Sequence, residues 1–393
     1  MKAQKIISTL KDSLFFTLIV SLNLNILFAL PRFSVQNGVS CIACHVNPTG
    51  GGMRNSYGND VVALEELPLE RWLDKGDGNW DGNITENLRI GGDLRLQGIQ
   101  YNDINGIKKS AFFPMQADIY TNLILNKNAS IFTKVGVKGP GTISMEYWGL
   151  INNLPKKAWL RVGRTFPNYG LRVDDHTSFI RGGNFGKTKV GLKSDLNNDG
   201  NMENLSEGLL FGPYLSPPAI FEFGIPMITN LEWTASMSTS LVNQQSQELN
   251  NLTTQITHIG SIGDAIQYRT SFSYMQEDDL KLLGVSGGAS FGDFTWTFAV
   301  DQAENWISDA TSLAVYDELA WELCQGVQII GKYDAFDPRT EWNDGAVTRI
   351  TLGAEIYPLN IMEIKLQVRI NEVDMENATQ KDPEYLIQTH LYF

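Results

Sequence analysis

Hydrophobic and polar residues alternate along most of the chain from Leu88 to Phe393. In the clearest segments the apolar side chains occupy every second position: Leu88, Ile90, Leu94 and Leu96; Ile266, Tyr268, Phe272 and Tyr274; Met362, Ile364, Leu366, Val368 and Ile370. A period of two residues is typical of a β-strand with one apolar and one polar face. The pattern therefore predicts an all-β protein.

Alternation of this kind fits both a soluble sandwich and a membrane barrel, in which the apolar face contacts lipid and the polar face lines the lumen. Three features favour the barrel. Strand signals continue over about 300 residues without a helical interruption, which is long for one sandwich. Aromatic residues lie near strand ends, as in the interfacial girdles of such barrels. The last strand ends in Phe393, and Tyr385, Ile387 and Leu391 share its face. We predict a transmembrane antiparallel β-barrel in a bacterial outer membrane.

The length of the strand-rich region sets the expected number of strands. At ~20 residues for a strand and its connection, residues 84–393 accommodate about 16 strands, an even number as expected for bacterial barrels. A barrel of that size has an open interior. The alternation marks somewhat more segments than this, so that some must merge or belong to loops: 86–100, 111–126, 129–138, 141–151, 156–166, 176–193, 206–213, 217–224, 229–242, 252–262, 264–277, 281–290, 292–302, 310–322, 325–336, 345–357, 360–372 and 383–393.

A single C-x-x-C-H motif, Cys41-Ile42-Ala43-Cys44-His45, is the main chemical signal of the chain. Thiols at this spacing can each form a thioether with one vinyl group of a haem, and the adjacent histidine then becomes an axial iron ligand. Half of a zinc site is the alternative, but zinc would require further Cys or His nearby. The whole chain has three Cys and four His, all of the others distant in sequence. We predict one covalently attached haem c.

The chain begins with the features of a secretory signal peptide, residues 1–29. Lys2, Lys5 and Lys11 precede an interrupted apolar run that ends near Ala29. Removal of these three lysines and Asp12 would change the formal net charge from −13 to −15. Nucleic acid is an improbable partner for so acidic a chain.

Residues 30–83 lie between the signal peptide and the predicted barrel of residues 84–393. Gly50, Gly51 and Gly52 allow close approach of the backbone to a porphyrin, and the spacing of Val62, Leu64 and Leu67 indicates a short helix before Pro68. This segment is too short to cover both faces of a haem. We therefore expect it to form a haem-bearing plug, for which the barrel provides the opposite wall.

The chain resembles the outer-membrane fusions of a monohaem cytochrome to a porin found in iron-oxidising bacteria. The resemblance rests on Pro31-Arg32-Phe33, Gly38, the C-x-x-C-H motif and a barrel that ends in Phe393; the stretch from Asn47 to Gly58 departs from the iron oxidases. It implies electron passage across the outer membrane through one haem. The expected partners are a periplasmic soluble cytochrome, membrane lipid and an extracellular electron donor or acceptor, such as Fe(II), a mineral or a cytochrome. An Fe(II) oxidase-type oxidoreductase is one form of this activity.

The sixth iron ligand has three candidates in the chain, and water or another group is the alternative. In general porins the third outer loop folds into the lumen, and by resemblance the segment after the fifth strand would place His176 over the haem. Asp174 or Asp175 would orient the His176 ring, and Arg172 and Arg181 would pair with the propionates. Met53 is close to His45 in sequence, and His390 should face the lumen. No nucleophilic triad, paired-carboxylate site or nucleotide fingerprint appears.

Two segments, Asp77–Gly82 and Asp195–Gly200, match the first half of a calcium-binding loop. Each has a different residue, Leu88 or Ser206, in place of the final glutamate, so both are also ordinary turn sequences. The alternative to an electron conduit is a solute porin whose lumen is plugged by a structural haem segment.

Overall fold

Sixteen long strands form the frame of the described part of the protein in the computed structural model. The described residues are 31–69, 80–102, 107–138, 142–173, 175, 177–183, 193–194, 203–204, 209, 216–228, 230–242, 247–306, 309–341, 345–375 and 378–393. The strands are β1 Asn83–Thr85, β2 Leu88–Asn102, β3 Lys108–Asn126, β4 Ala129–Lys138, β5 Thr142–Leu154, β6 Ala158–Arg164, β7 Lys193–Ser194, β8 Glu203–Asn204, β9 Ala219–Ile228, β10 Leu231–Ser238, β11 Asn251–Ile262, β12 Ile266–Glu277, β13 Leu280–Phe291, β14 Phe294–Glu304, β15 Thr311–Cys324, β16 Val327–Asp337, β17 Val347–Leu359, β18 Met362–Met375 and β19 Ala378–Tyr392. Helix α1 spans Pro31–Gln36, a π-helical segment spans Gly58–Glu66, and short 3-10 turns span Cys41–Ala43, Pro155–Lys157 and Phe179–Arg181.

The sheet closes on itself. Strands β2–β6 and β9–β19 pair antiparallel with their neighbours in chain order, and β19 pairs with β2, with Tyr392 opposite Asp93. The C-terminal residue completes the closure, since Phe393 and Gly92 exchange two backbone hydrogen bonds of 3.0 and 3.1 Å. Strand β1 is an extra short strand beside β2. The prediction of an antiparallel barrel of about 16 strands is confirmed.

The two faces of each strand differ as the alternation predicts. On β17, Ile350 and Leu352 point outward with 60% and 64% of their surface exposed, whereas Arg349 and Thr351 between them are buried at 0% and 2%. Because a sheet with exposed aliphatic side chains and buried arginines is stable only against lipid, the outer surface is a membrane-facing band. Among the described residues, no helix is long and apolar enough to cross a bilayer.

The connection between β6 and β9, residues 165–218, enters the lumen in its described part. Gly170 donates its amide to Ser273 on β12, Ser178 donates to Asp334 on β16, and Arg181 pairs with Asp301 on β14 at 2.7 Å. The predicted strand 176–193 is wrong over its described residues, because Phe179 and Ile180 are consecutive and both completely buried. They belong to an apolar cluster inside the lumen rather than to a strand with one wet face. The predicted strand 206–213 lies almost entirely outside the described residues.

The N-terminal segment, residues 31–69, also lies in the lumen. Its α1 contacts β12, β13 and β14, and Arg32 on α1 pairs with Glu318 on β15 and Glu355 on β17. At the turn between β15 and β16, a Cβ added to Gly326 would lie 2.6 Å from the backbone nitrogen of Leu69. Glycine, with a positive φ of 80°, is therefore required where this segment meets the wall.

Candidate functional site

The two thiols and the histidine of the C-x-x-C-H motif share one tight turn. Cys41 carbonyl oxygen accepts hydrogen bonds from the amides of Cys44 and His45, at 3.2 and 3.0 Å. A 3-10 turn brings side chains three residues apart to the same side. The local structure thus presents Cys41 and Cys44 together, as two thioether bonds to one porphyrin would require.

A glycine-rich turn returns the chain beside this motif. Val46 donates its amide to the Met53 carbonyl at 3.0 Å, and Asn55 donates to the Cys44 carbonyl at 2.9 Å. Within the turn, the Asn47 amide group donates to the Gly50 carbonyl at 2.8 Å. A Cβ on Gly50 would lie 3.0 Å from the Cys41 sulfur, so only glycine leaves that sulfur accessible.

A cavity of about 410 Å³ lies against the motif. This volume falls within the ~300–1,000 Å³ that is usual for sites of small molecules and cofactors. The N-terminal segment forms one wall, whereas strands β2–β5, β12 and β17–β19 and the lumen segment from Phe166 to Val173 form the others. Six residues predicted as haem-binding line it together: Cys41, Cys44, His45, Met53, Arg172 and Arg181. His176 and Asp174 lie outside the described residues, so their placement over the haem stays a prediction.

Burial sets the protonation of the motif. Burial, with Arg54 nearby, lowers the pKa of His45 to about 4, so its imidazole is neutral at physiological pH, the form that binds iron. Its Nδ1 is buried without a hydrogen-bond partner among the described residues. Burial also raises the pKa of the Cys44 thiol to about 11, which keeps it protonated. The paired thiols, the neutral imidazole and the glycine-rich turn fit a c-type haem.

The cavity is cationic in an acidic protein. Six basic side chains face three carboxylates, although the formal net charge of the chain is −13. The basic residues are Arg54, Arg95, Lys134, Arg172, Arg181 and Arg269, and the carboxylates are Asp93, Glu146 and Glu363. Positive side chains outnumber carboxylates on this wall even though Arg181 is paired with Asp301 behind it, and this favours an anionic ligand. Haem, with two propionates, is one.

The two arginines expected at the propionates differ in their surroundings. Arg181 forms a salt bridge with Asp301, so its charge is already matched. Arg172 donates from Nη2 to the Thr49 hydroxyl at 3.0 Å and takes part in no salt bridge within the described chain. Burial and the nearby Arg161 lower the pKa of Arg172.

The other candidate ligands have protein partners. Both ring nitrogens of His390 face carboxylates, Nε2 at 2.8 Å from Asp93 and Nδ1 at 3.2 Å from Glu363. Met53 is 4% exposed and packs with Tyr120, Phe132 and Trp148 on the barrel wall. Asp175, one of the two carboxylates expected to orient His176, pairs with Lys332 and Arg369 instead.

The sequence did not indicate several residues of this site. Arg269 lies on β12, with its Nη1 3.6 Å from the Cys41 sulfur, and Trp148 on β5 is 2% exposed in the cavity wall. Both occupy inward positions of strands, where barrels are ordinarily polar. For Trp148, the one sequence signal of a role in the site was a tryptophan at a strand position that faces the lumen.

Of the two partial calcium loops, Asp77–Asn79 and Asp195–Gly200 lie outside the described residues. The described Asp81 accepts hydrogen bonds from the backbone and side chain of Asn83, at 2.8 Å each, as in an ordinary turn. No group of three or more potential metal-binding side chains occurs within the described ranges.

No protein-family model matches the chain. No curated protein matches it either. Three solved structures show similar folds. An anion-selective porin from Comamonas acidovorans has 8% identity and a TM-score of 0.52, with 78% of this chain and 99% of that chain covered. OprB of Pseudomonas putida at high pH has 9% identity and a TM-score of 0.56, with coverage of 78% and 94%. OmpF of Salmonella typhi in complex with daunomycin has 12% identity and a TM-score of 0.52, with coverage of 78% and 98%.

These identities support the fold alone. Together, the closed sixteen-stranded barrel, its exposed apolar band and the lumen segment after its fifth barrel strand define a porin-like barrel of a bacterial outer membrane.

Proposed function

We propose that this barrel is an electron conduit that carries one covalently attached haem c in its lumen. The observation that supports it most is the position of Cys41, Cys44 and His45 on a cavity whose other walls belong to the barrel. A short haem-bearing segment cannot enclose a porphyrin, and here the lumen supplies the missing surface. The N-terminal segment, residues 31–69, would then be the haem-bearing plug.

Each part of the chain has a defined task in this proposal. The haem supplies reversible one-electron chemistry. Cys41 and Cys44 would hold it through thioether bonds, and neutral His45 would bind its iron. The aromatic cluster of Tyr120, Phe132 and Trp148, with ring centroids 6.0 and 4.7 Å apart, forms a dry wall. The barrel keeps lipid away from the porphyrin.

Electron transfer is a physically reasonable use of such an arrangement. The apolar part of the membrane is ~25–30 Å thick, too far for an electron to cross without a relay. A redox centre in the lumen divides this distance. The periplasmic partner would be a soluble cytochrome, and the outer partner would be Fe(II), a mineral or another cytochrome.

Purified protein in liposomes tests the proposal. The protein, produced with the cytochrome c maturation machinery, should contain one haem per chain, and external dithionite should reduce a dye enclosed in the vesicles. Cys41→Ala/Cys44→Ala should contain no covalent haem and leave the dye oxidised. A wild-type protein without covalent haem would contradict the proposal, as would equal dye reduction by both proteins.

A solute porin plugged by a haem segment is the second candidate, and the solved structures favour it, since one of the similar folds is an anion-selective porin. The cationic cavity would suit an anionic solute, as the name of the Comamonas protein suggests for that porin. Planar-bilayer recording separates the two functions. An electron conduit should show little ion conductance, whereas a solute porin should conduct ions or small solutes, and loss of the haem should open it further.

A further inference from the structure

Two buried nitrogen donors on the cavity wall bear on a ligand. They are Nε of Arg172 and the indole Nε1 of Trp148, and neither has an acceptor among the described residues. A buried N–H without an acceptor is unfavourable, because water no longer satisfies it. A ligand with acceptor oxygens would satisfy both donors.

The charge at Arg172 points to the same conclusion. Neighbouring basic residues have carboxylate partners: Lys134 has Glu146, Arg161 has Glu222 and Arg181 has Asp301. Within the described residues, Arg172 bonds to the neutral hydroxyl of Thr49 and forms no salt bridge, since the nearby Glu146 and Glu222 already pair with Lys134 and Arg161. A guanidinium without a counter-ion in a largely buried position is best stabilised by an anion.

The backbone leaves room for that guanidinium. A Cβ placed on Gly51 would lie 3.8 Å from Nη1 of Arg172, and one on Gly50 would lie 3.9 Å from its Cδ. The glycine-rich turn that follows the C-x-x-C-H motif therefore lies directly against the Arg172 side chain. A ligand held by the motif would come within reach of the same arginine.

We propose that Arg172 and Trp148 form a carboxylate-binding subsite of the cavity. A guanidinium and an indole N–H offer donors only, which suits a carboxylate. The inference rests on the proposed function in one respect: with haem in the cavity, the carboxylate is a porphyrin propionate. With a free solute in the cavity instead, the bound group is the carboxylate of an organic anion. Arg181 differs from Arg172, because Asp301 already pairs with it.

Binding of a porphyrin and its ester tests the subsite. Full-length Cys41→Ala/Cys44→Ala protein is titrated with mesoporphyrin IX and with its dimethyl ester, which lacks the two carboxylates. The acid should bind about 10- to 100-fold more tightly, the factor expected for a charge-assisted hydrogen bond. Arg172→Gln should abolish this preference, and Trp148→Phe should reduce it.

A matched control uses the other cavity arginine. Arg181→Gln/Asp301→Asn removes a positive charge from the same cavity together with its partner, and the preference for the acid should persist. Equal affinity for acid and ester, or a preference that survives Arg172→Gln, would overturn the subsite while leaving the haem proposal intact.

Succinate distinguishes the source of the carboxylate. If neither porphyrin binds but succinate reduces ion conductance in a manner that Arg172→Gln abolishes, the subsite is correct for a solute carboxylate, and the haem content of the wild-type protein decides the haem proposal separately. If neither porphyrin nor succinate interacts with the protein, the subsite itself is wrong.

Discussion

Met53 and His45 occupy positions of their turn that are not directly opposed. His45 pairs with Arg54 across the turn, and Val46 pairs with Met53 through a backbone hydrogen bond. Directly opposed residues of such a pair point to the same side, and neighbours point to opposite sides. Met53 therefore packs on the barrel wall, although sequence proximity made it a candidate iron ligand.

Substitution of Met53 separates packing from iron binding. Met53→Ala should lower the free energy of unfolding by about 2–5 kcal/mol through the cavity it leaves. Met53→Leu, which conserves volume, should cost less than about 1.5 kcal/mol. Neither should change the absorption spectrum of the reduced haem. A spectral change in Met53→Leu would show that Met53 binds iron.

Local and distant parts of the site differ in how far the sequence predicts them. Cys41, Cys44 and His45 are adjacent in the chain, so their spacing alone indicates the chemistry. Trp148 reaches the same cavity through the register of β5 in a closed sheet. No local pattern specifies such a register, so the sequence alone does not place Trp148 at the site.

The N-terminal segment and the lumen segment after β6 are connected by one buried network of hydrogen bonds. Arg161 on β6 is completely buried and donates to Asn47 in the glycine-rich turn and to Glu222 on β9. The second oxygen of Glu222 accepts the backbone N–H of Asn168 in the lumen segment at 2.8 Å. One ion pair thus holds both segments that occupy the lumen.

Arg161→Gln should loosen both segments at once. It leaves Glu222 buried without its counter-ion, which typically costs about 3–5 kcal/mol. We expect faster protease cleavage within residues 31–69 and a higher ion conductance. Arg349→Gln is the control, because Arg349 joins Thr177 in the lumen segment to Asp334 and has no contact with the N-terminal segment in these bonds. Equal cleavage of the N-terminal segment in both variants would contradict the role of Arg161.

At the level of strands, alternation predicted nearly all of the barrel. The segment 129–138 coincides with β4, and sixteen of the predicted segments correspond to barrel strands with shifts of a few residues at their ends. The error at 176–193 has a physical cause. Phe179 and Ile180 are buried by a cluster inside the lumen, so their hydrophobicity reflects tertiary packing rather than the lipid face of a strand.

The whole molecule has two hydrophobic regions in different surroundings. The outer band contacts lipid, and the cluster around Phe179 and Ile180 lies within the lumen. Hydrophobicity along the chain does not distinguish these regions, because both are apolar. Closure of β19 on β2 is what separates outside from inside.

A charge on the outer band should therefore destabilise the protein according to its depth. Leu352 lies near the middle of β17 and is 64% exposed, whereas Leu359 ends the same strand and is 43% exposed. Leu352→Arg should lower the free energy of unfolding in bilayers by about 2–4 kcal/mol, and Leu359→Arg by about 0–1 kcal/mol, because water and lipid headgroups reach the strand end. Urea titration of both variants in liposomes measures the difference. Equal effects would mean that the surface around Leu352 does not contact hydrocarbon, and the orientation of the sheet in the membrane would then have to be wrong.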